Sequence, residues 1–115
     1  MQNKNNATKN QQVVWHLFDA IRANDRDRVL SFFTEDTLFE PLERRSVIGH
    51  TAIWAELSDA VMEHELCCVS AVEDGCVAAE RVERRLVDGA WREQRLTGVL
   101  SVRGAKIVRW SETGT

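Results

Sequence analysis

One segment of the sequence, near residues 76–87, carries arginine and glutamate at alternating positions. In an extended strand, Arg81, Glu83 and Arg85 would share one face, and Glu80 and Arg84 would share the other, because successive side chains point to opposite faces. A carboxylate held beside a guanidinium can exchange a proton with a bound molecule, which is the chemistry of general acid–base catalysis. The same pattern is also typical of a solvated strand with cross-strand ion pairs. Alternation alone does not show whether these charged side chains face the protein interior or the solvent.

The cysteines do not indicate a disulfide framework or a metal site. Cys67, Cys68 and Cys76 are odd in number, two of them are adjacent, and His64 is the only histidine nearby, at no metal-ligand spacing. We interpret them as small buried residues of strands. We predict no metal and no other cofactor.

Other residue types narrow the chemistry further. The sequence contains no tyrosine, which excludes a mechanism that requires a tyrosine hydroxyl. His16 and His64 fall on expected helix surfaces or ends, and His50 on a helix start, so we interpret all three histidines as structural or solvated. The four tryptophans are interpreted mainly as packing residues, with Trp54 and Trp91 as candidates for a pocket mouth or a dimer face.

Composition is that of an ordinary globular chain. The 115 residues are 43% hydrophobic and 29% charged, which suits a single domain over residues 9–115 behind a disordered polar tail at 1–8. A formal net charge of -3 gives no electrostatic reason to expect nucleic acid as a partner. The apolar runs are too short for a bilayer, and no apolar segment typical of a secretory signal follows Met1. We therefore expect a cytoplasmic protein with no nucleic-acid or membrane partner.

The elements that must position the charged strand fall into two groups. Helical spacing indicates a first helix that ends at Asn24 and a short second helix that is capped by Asp25 and carries Phe33. A short strand at 37–40 follows, and then a third helix over about 51–63. Turn signals at Asp74-Gly75, Asp88-Gly89 and Arg103-Gly104 then separate strands near 65–73, 76–87, 91–102 and 105–112. This order predicts an α+β fold, a curved antiparallel sheet wrapped around about three N-terminal helices, like a cone or a cystatin-like roll. Its concave face would hold a pocket.

The order of elements, together with Phe32–Thr37 and Ile48–His50, resembles the nuclear-transport-factor-two-like superfamily, which includes SnoaL-like and ketosteroid-isomerase-like proteins. Within it, the chain is most similar to limonene-1,2-epoxide hydrolases, from about Gln11 to Glu112. The resemblance is carried by Glu80-Arg-Val-Glu83, where the family has Arg-x-Asp, and by 104–112, where it has Gly-Lys-Ile and then Trp-Arg-Asp.

This resemblance implies a catalytic role for three residues. Glu83 takes the place of the family's proton donor, Glu112 that of the aspartate that activates water, and Arg81 that of the arginine between them. It implies acid–base addition of water to an epoxide, without a metal or a covalent intermediate. It also implies a small apolar or epoxide-type ligand and a homodimer formed through the sheet. We expect Glu112 on a hairpin partner of the Arg81 strand, with both carboxylates within hydrogen-bond reach of Arg81.

Six further residues are candidates for the pocket lining. Phe39 and Pro41 stand where the family has a tyrosine and an asparagine that orient water, and Arg85 stands where it has an apolar residue, which indicates a more polar and more open site. The full set is Phe39, Glu40, Pro41, Trp54, Arg85 and Leu96.

Two other functions fit the same sequence. Glu40-Pro41 resembles the Asp-Pro of ketosteroid isomerases, so Glu40 could be a base that moves a proton beside a carbonyl. The positions of that enzyme's oxyanion donors correspond to Leu17 and Gly98 here. Alternatively, the chain is a non-catalytic module for ligand binding or dimerisation, and its charged cluster is a buried ion-pair network.

Overall fold

Three helices lie in the first part of the computed structural model, which describes residues 4–58, 62–73 and 75–114. They are α1 (Lys4–Arg22), α2 (Arg26–Leu30) and α3 (His50–Leu57). The residues of α1 at helical spacing form its buried face, as predicted: Val14, Leu17, Phe18 and Ile21. Asp25 caps α2, as predicted, because its side chain accepts a hydrogen bond from the backbone N–H of Arg28.

Six strands form one sheet in the order β2-β1-β6-β5-β4-β3. Their bounds are β1 (Phe33–Glu40), β2 (Val47–Ile48), β3 (Met62–Glu73), β4 (Cys76–Val87), β5 (Ala90–Arg103) and β6 (Lys106–Gly114). Neighbouring strands are antiparallel except β1 and β6, which are parallel. The α+β fold is confirmed, but the sheet is mixed rather than antiparallel, because the last strand of the meander returns beside β1 in the same direction.

Several predicted boundaries are wrong, for the same physical reason. The third helix ends at Leu57 instead of 63, because β3 begins at Met62 and its residues pair with β4. Phe33 starts β1 rather than ending α2, and it pairs with Ile107 of β6. In each case, pairing with another strand overrides local helical spacing.

The N-terminal helix is longer than expected. It begins at Lys4, inside the segment 1–8 that was predicted to be a disordered tail, whereas residues 1–3 lie outside the described residues. Once the amphipathic part of a helix is packed, adding a turn of polar residues costs little, since propagation is far easier than nucleation.

All three cysteines lie in strands, as predicted, but the predicted burial is wrong, because Cys67 and Cys68 are exposed and Cys76 is half-buried. Cys67 and Cys68 lie on β3, which ends the sheet, at a β-bulge where the register shifts between Leu66 and Cys68. An edge strand lacks a neighbour on one side, so its side chains are less covered than those of central strands. No helix within the described residues is long and apolar enough to cross a membrane.

The core beneath the sheet is built around Trp110, which is fully buried. Its ring stacks on Phe39 at 4.3 Å between centroids and meets Phe18 edge-on at 5.6 Å. Gly98 on β5 makes room for this ring, because a Cβ atom there would lie 2.8 Å from Trp110 Nε1. The interior that a ligand would occupy in an open cone is therefore filled at this level by aromatic side chains.

We expect Gly98→Ala to lower the free energy of unfolding by about 1–3 kcal/mol, because the added methyl overpacks a rigid site. Gly114→Ala is the matched control. The nearest atom to its added Cβ is a terminal methyl carbon of Leu42 at 3.0 Å, which can turn aside. Urea unfolding followed by tryptophan fluorescence measures both variants. Equal losses for the two would contradict the role assigned to Gly98.

Candidate functional site

The sheet brings the three predicted catalytic residues together on its inner face. Arg81 and Glu83 lie on β4 and Glu112 lies on β6, and their exposed fractions are 2%, 5% and 7%. The hairpin pairing expected between these strands is wrong, since β5 lies between β4 and β6. Arg81 is paired with Leu96 of β5 and Glu112 is paired with Gly98, so the Arg81 side chain crosses β5 diagonally to reach Glu112.

Arg81 and Glu112 form a bidentate ion pair in the interior. Arg81 Nε donates to Glu112 Oε2 and Arg81 Nη2 donates to Glu112 Oε1, both at 2.7 Å. The Glu112 side chain has no exposed surface. The guanidinium also lies 5.7 Å from the ring centroid of Trp110 and 6.0 Å from that of Phe18. Two charges in such surroundings are stable only as a pair, because either one alone would be desolvated without compensation.

Glu83 is held less tightly than Glu112. Its Oε1 lies 3.7 Å from Arg81 Nη2 and 3.5 Å from Arg44 Nη2. The expected hydrogen-bond reach to Arg81 is therefore confirmed for Glu112 and wrong for Glu83, which makes a longer ion pair.

Arg44 is a member of this cluster that the sequence analysis missed. It lies in the segment between β1 and β2, and its Nε approaches Glu56 Oε2 of α3 at 3.1 Å. Arg44 thus connects the helix layer to Glu83 on the sheet. The only signal in the sequence was a pair of arginines, at 44 and 45, in a segment that Pro41 separates from β1.

His64 is a second missed member, because it was placed on a helix and lies on β3 instead. It is directly opposite Glu83, and Arg81 Nη1 donates a hydrogen bond to its Nδ1. Burial, and then the neighbouring Arg81 guanidinium, lowers the pKa of His64 to about 3, against a small opposing effect of the Leu57 carbonyl. The ring is therefore neutral, and its proton sits on Nε2, because Nδ1 accepts the hydrogen bond from Arg81.

The low pKa of His64 makes stability depend on pH. In the unfolded chain, His64 binds a proton below about pH 6.5, whereas in the folded protein it does not until about pH 3. Between these values the unfolded state binds more protons, so stability falls as pH falls. We expect a loss of about 1–2 kcal/mol from His64 between pH 7.5 and 5. His64→Asn, which keeps an acceptor for Arg81 but does not titrate, should reduce this loss in urea unfolding. His16→Asn, on the exposed side of α1, is the control and should leave the loss unchanged.

An open groove of about 660 Å³ lies at the mouth of the cone, next to Glu83. One wall is Leu42, Glu43 and Arg44, and the other is formed by residues of β4 and β5: Glu83, Arg85, Val87, Arg92, Glu93 and Gln94. Arg81 and Glu112 are not among the lining residues. Of the three predicted catalytic residues, Glu83 is thus the one that a molecule in the groove can touch.

Of the six predicted lining residues, only Arg85 lines this groove. Phe39 and Leu96 are buried beneath the sheet, with Phe39 packed on Trp110, and Pro41 is buried as well. Trp54 is partly buried and packs against the core. None of these four side chains belongs to the lining of this groove, so their place in a ligand site stays a prediction.

Glu40 also lies away from the groove, on the outer face of the sheet. It pairs with Ser111, and its Oε1 accepts hydrogen bonds from the Ser111 hydroxyl and from Arg109 Nη2, the latter at 2.8 Å. The hydrogen bond from Ser111 has the largest effect and lowers the pKa of Glu40, and the one from Arg109 lowers it further. Because strand residues alternate in direction, Glu40 and the adjacent Phe39 point to opposite faces. The candidate base of an isomerase is thus separated from the groove by the sheet.

Among the described residues, no group of three or more His, Cys, Asp or Glu side chains could hold a metal ion.

Comparison with known proteins identifies the fold. No family model matches the sequence. Solved structures similar to this chain include Bal32a from a soil-derived mobile gene cassette, with 17% identity over 94% of this chain and 90% of that chain, and a TM-score of 0.86. An M. tuberculosis LEH-like epoxide hydrolase has 17% identity over 95% of this chain and 84% of that chain, with a TM-score of 0.79. A Xanthomonas campestris pv. campestris protein described as a polyketide cyclase has 21% identity over 93% and 90%, also with a TM-score of 0.79. The chain thus has the SnoaL-like, nuclear-transport-factor-two-like fold that the sequence predicted.

Proposed function

We propose that this protein binds a small organic molecule in the groove at the mouth of the cone and that Glu83 donates a proton to it, as in the addition of water to an epoxide. The observation that carries this proposal is the position of Glu83. It lines the groove and lies 3.7 Å from Arg81, whose guanidinium also holds a second, fully enclosed carboxylate.

The proposed reaction uses the two carboxylates differently. Glu83 in its acid form protonates the epoxide oxygen while a carbon–oxygen bond breaks, and water adds to that carbon and gives up a proton to a base. The resemblance to the epoxide hydrolases assigns the base to Glu112. After donation, Glu83 is a carboxylate beside Arg81, and attraction between them would draw the guanidinium from Glu112 toward Glu83. That movement would free an oxygen of Glu112.

The test is incubation of the protein with a series of small epoxides in ¹⁸O-labelled water. The proposal expects a diol that carries one labelled oxygen, formed faster than in buffer alone. Absence of enzyme-dependent diol across apolar and polar epoxides would exclude the hydrolase.

A non-catalytic ligand-binding module is the second candidate, and one observation favours it. Both oxygens of Glu112 are held by Arg81, and the side chain has no exposed surface, as in a structural ion pair. This candidate expects saturable ligand binding in a thermal-shift screen without any diol. The isomerase has no comparable support, because Glu40 lies on the outer face.

We also propose a homodimer formed through the outer face of the sheet. Leu86 and Trp91 are directly opposite each other on β4 and β5, and 36% and 55% of their surfaces are exposed. A second copy of the chain packed on this face would cover both apolar side chains. Sedimentation equilibrium would show a monomer if this proposal is wrong.

A further inference from the structure

A side-chain amide lies beside Glu83 on the wall of the groove. Gln94 of β5 is directly opposite Glu83 of β4, and both residues line the groove. Directly opposed residues share a face of the sheet and have Cβ atoms about 5 Å apart, so both side chains can reach one atom of a bound molecule. Gln94 is exposed, so its amide is open to a molecule that enters the groove.

The Gln94 amide has no other role in the part of the chain that the structure describes. It forms no side-chain hydrogen bond there, and none joins it to Glu83. The contacts of the Glu83 carboxylate with the protein are long, at 3.5 Å to Arg44 Nη2 and 3.7 Å to Arg81 Nη2. A ligand oxygen between the two side chains would accept a hydrogen bond from the amide and contact the carboxyl group.

The guanidinium groups near Glu83 are already engaged. Arg44 Nε lies 3.1 Å from Glu56 Oε2, and Arg81 holds Glu112 with two hydrogen bonds and does not line the groove. An amide has two N–H donors and adds no charge to the groove. Gln94 is therefore well suited to hold an uncharged oxygen beside Glu83.

A second donor at this place would also assist the opening of an epoxide. When the carbon–oxygen bond breaks, the oxygen keeps the electron pair and gains negative charge until it receives the proton from Glu83. A hydrogen bond from a positioned N–H group to that oxygen is stronger in the transition state than in the ground state, so it lowers the barrier. No bond of the amide forms or breaks.

We propose that the Gln94 amide donates a hydrogen bond to the same ligand oxygen that Glu83 contacts. This inference rests on the groove of the proposed function and adds a second residue that touches the reacting oxygen. The ligand class that it implies is a small uncharged molecule with an exposed ether-type oxygen.

The first test measures binding with two stable probes of the same shape, 2-phenyltetrahydrofuran and phenylcyclopentane, which differ by one ether oxygen. Each is titrated into ¹⁵N-labelled protein and followed by NMR. The ether is expected to move the side-chain NH₂ signals of Gln94 downfield, because it offers an acceptor and the hydrocarbon does not. Gln94→Leu should weaken binding of the ether roughly five-fold relative to the hydrocarbon.

Gln12→Leu is the matched control for the binding test. Gln12 is exposed on α1 and does not line the groove, so the same substitution there should leave both affinities unchanged. Gln94→Asn keeps an amide on a shorter side chain and should retain part of the preference for the ether. Urea unfolding verifies the fold of each variant.

The second test measures kinetics with the best epoxide of the series. Gln94→Leu is expected to lower kcat by about 10²–10³-fold, as loss of one donor to a developing oxyanion does. KM should change much less, because the hydrogen bond strengthens mainly in the transition state. Gln12→Leu should keep both constants.

Three results would overturn the inference: no saturable binding of the ether, equal effects of Gln94→Leu and Gln12→Leu on that binding, or diol formation with an unchanged kcat in Gln94→Leu. The outcome is separable from that of the hydrolase. Diol formation that does not depend on Gln94 rejects only this inference. Ether binding that depends on Gln94, without any diol from epoxides, rejects only the hydrolase.

Discussion

Arg81→Leu is expected to lower the free energy of unfolding by about 3–5 kcal/mol, the largest effect on stability that we predict. The substitution leaves the Glu112 carboxylate enclosed, without exposed surface and without the two hydrogen bonds that Arg81 donates at 2.7 Å. It also removes the donor to His64 Nδ1. Urea unfolding monitored by circular dichroism measures the loss.

Two comparison variants distinguish the stability effect of breaking a buried ion pair from that of breaking a surface ion pair. Arg84→Leu, on the outer face of the same strand, breaks ion pairs with Glu65 and Glu93 whose side chains are more than half exposed, and should cost much less. The double variant Arg81→Leu/Glu112→Leu removes the stranded charge along with its partner, so it should recover much of the loss. If the double variant is no more stable than Arg81→Leu, the pair is not the source of the effect.

Glu83→Gln is expected to lower kcat for diol formation by about 10²–10⁴-fold, the largest effect on activity that we predict. Glutamine keeps the shape of the side chain but has no acidic proton to donate. The fold should be retained, because Arg81 keeps Glu112 and Arg44 keeps Glu56 as ion-pair partners. Steady-state kinetics with the best epoxide of the series gives kcat, and urea unfolding verifies the fold.

Glu80→Gln is the control for this variant. Glu80 is exposed on the opposite face of β4, so the same change of charge should leave kcat unaltered. A Glu83→Gln protein that retains more than about a tenth of the activity would place the proton donor elsewhere. Equal losses in both variants would point to net charge rather than to a positioned acid.

Local rules predicted much of the framework from the sequence. Three features each depend on residues only a few positions apart: the helical spacing of α1, the Asp25 cap of α2 and the Asp-Gly turn signals of the meander. The common face of Arg81 and Glu83 follows from strand alternation in the same way. The resemblance to a known fold then predicted the cone, and comparison of structures confirmed it.

The identity of the site's other members depends on long-range geometry. His64 joins the cluster only because β3 pairs with β4, and Arg44 joins it from a segment that lies 39 residues before Glu83. Glu40 was a candidate base by sequence and lies on the other side of the sheet, since its register with Ser111 sets its direction. No local pattern contains these pairings.

By itself, the sequence determined which side chains share a face, because alternation along a strand is a property of the backbone. Only the tertiary structure decided which face is the interior, since that depends on where the helices pack and which strands are neighbours. Arg81, Glu83 and Glu112 are buried because the helices cover that face, and Arg81 reaches Glu112 across β5. The aromatic core around Trp110 fills the interior, Glu83 lines the groove, and the Glu112 side chain is fully enclosed.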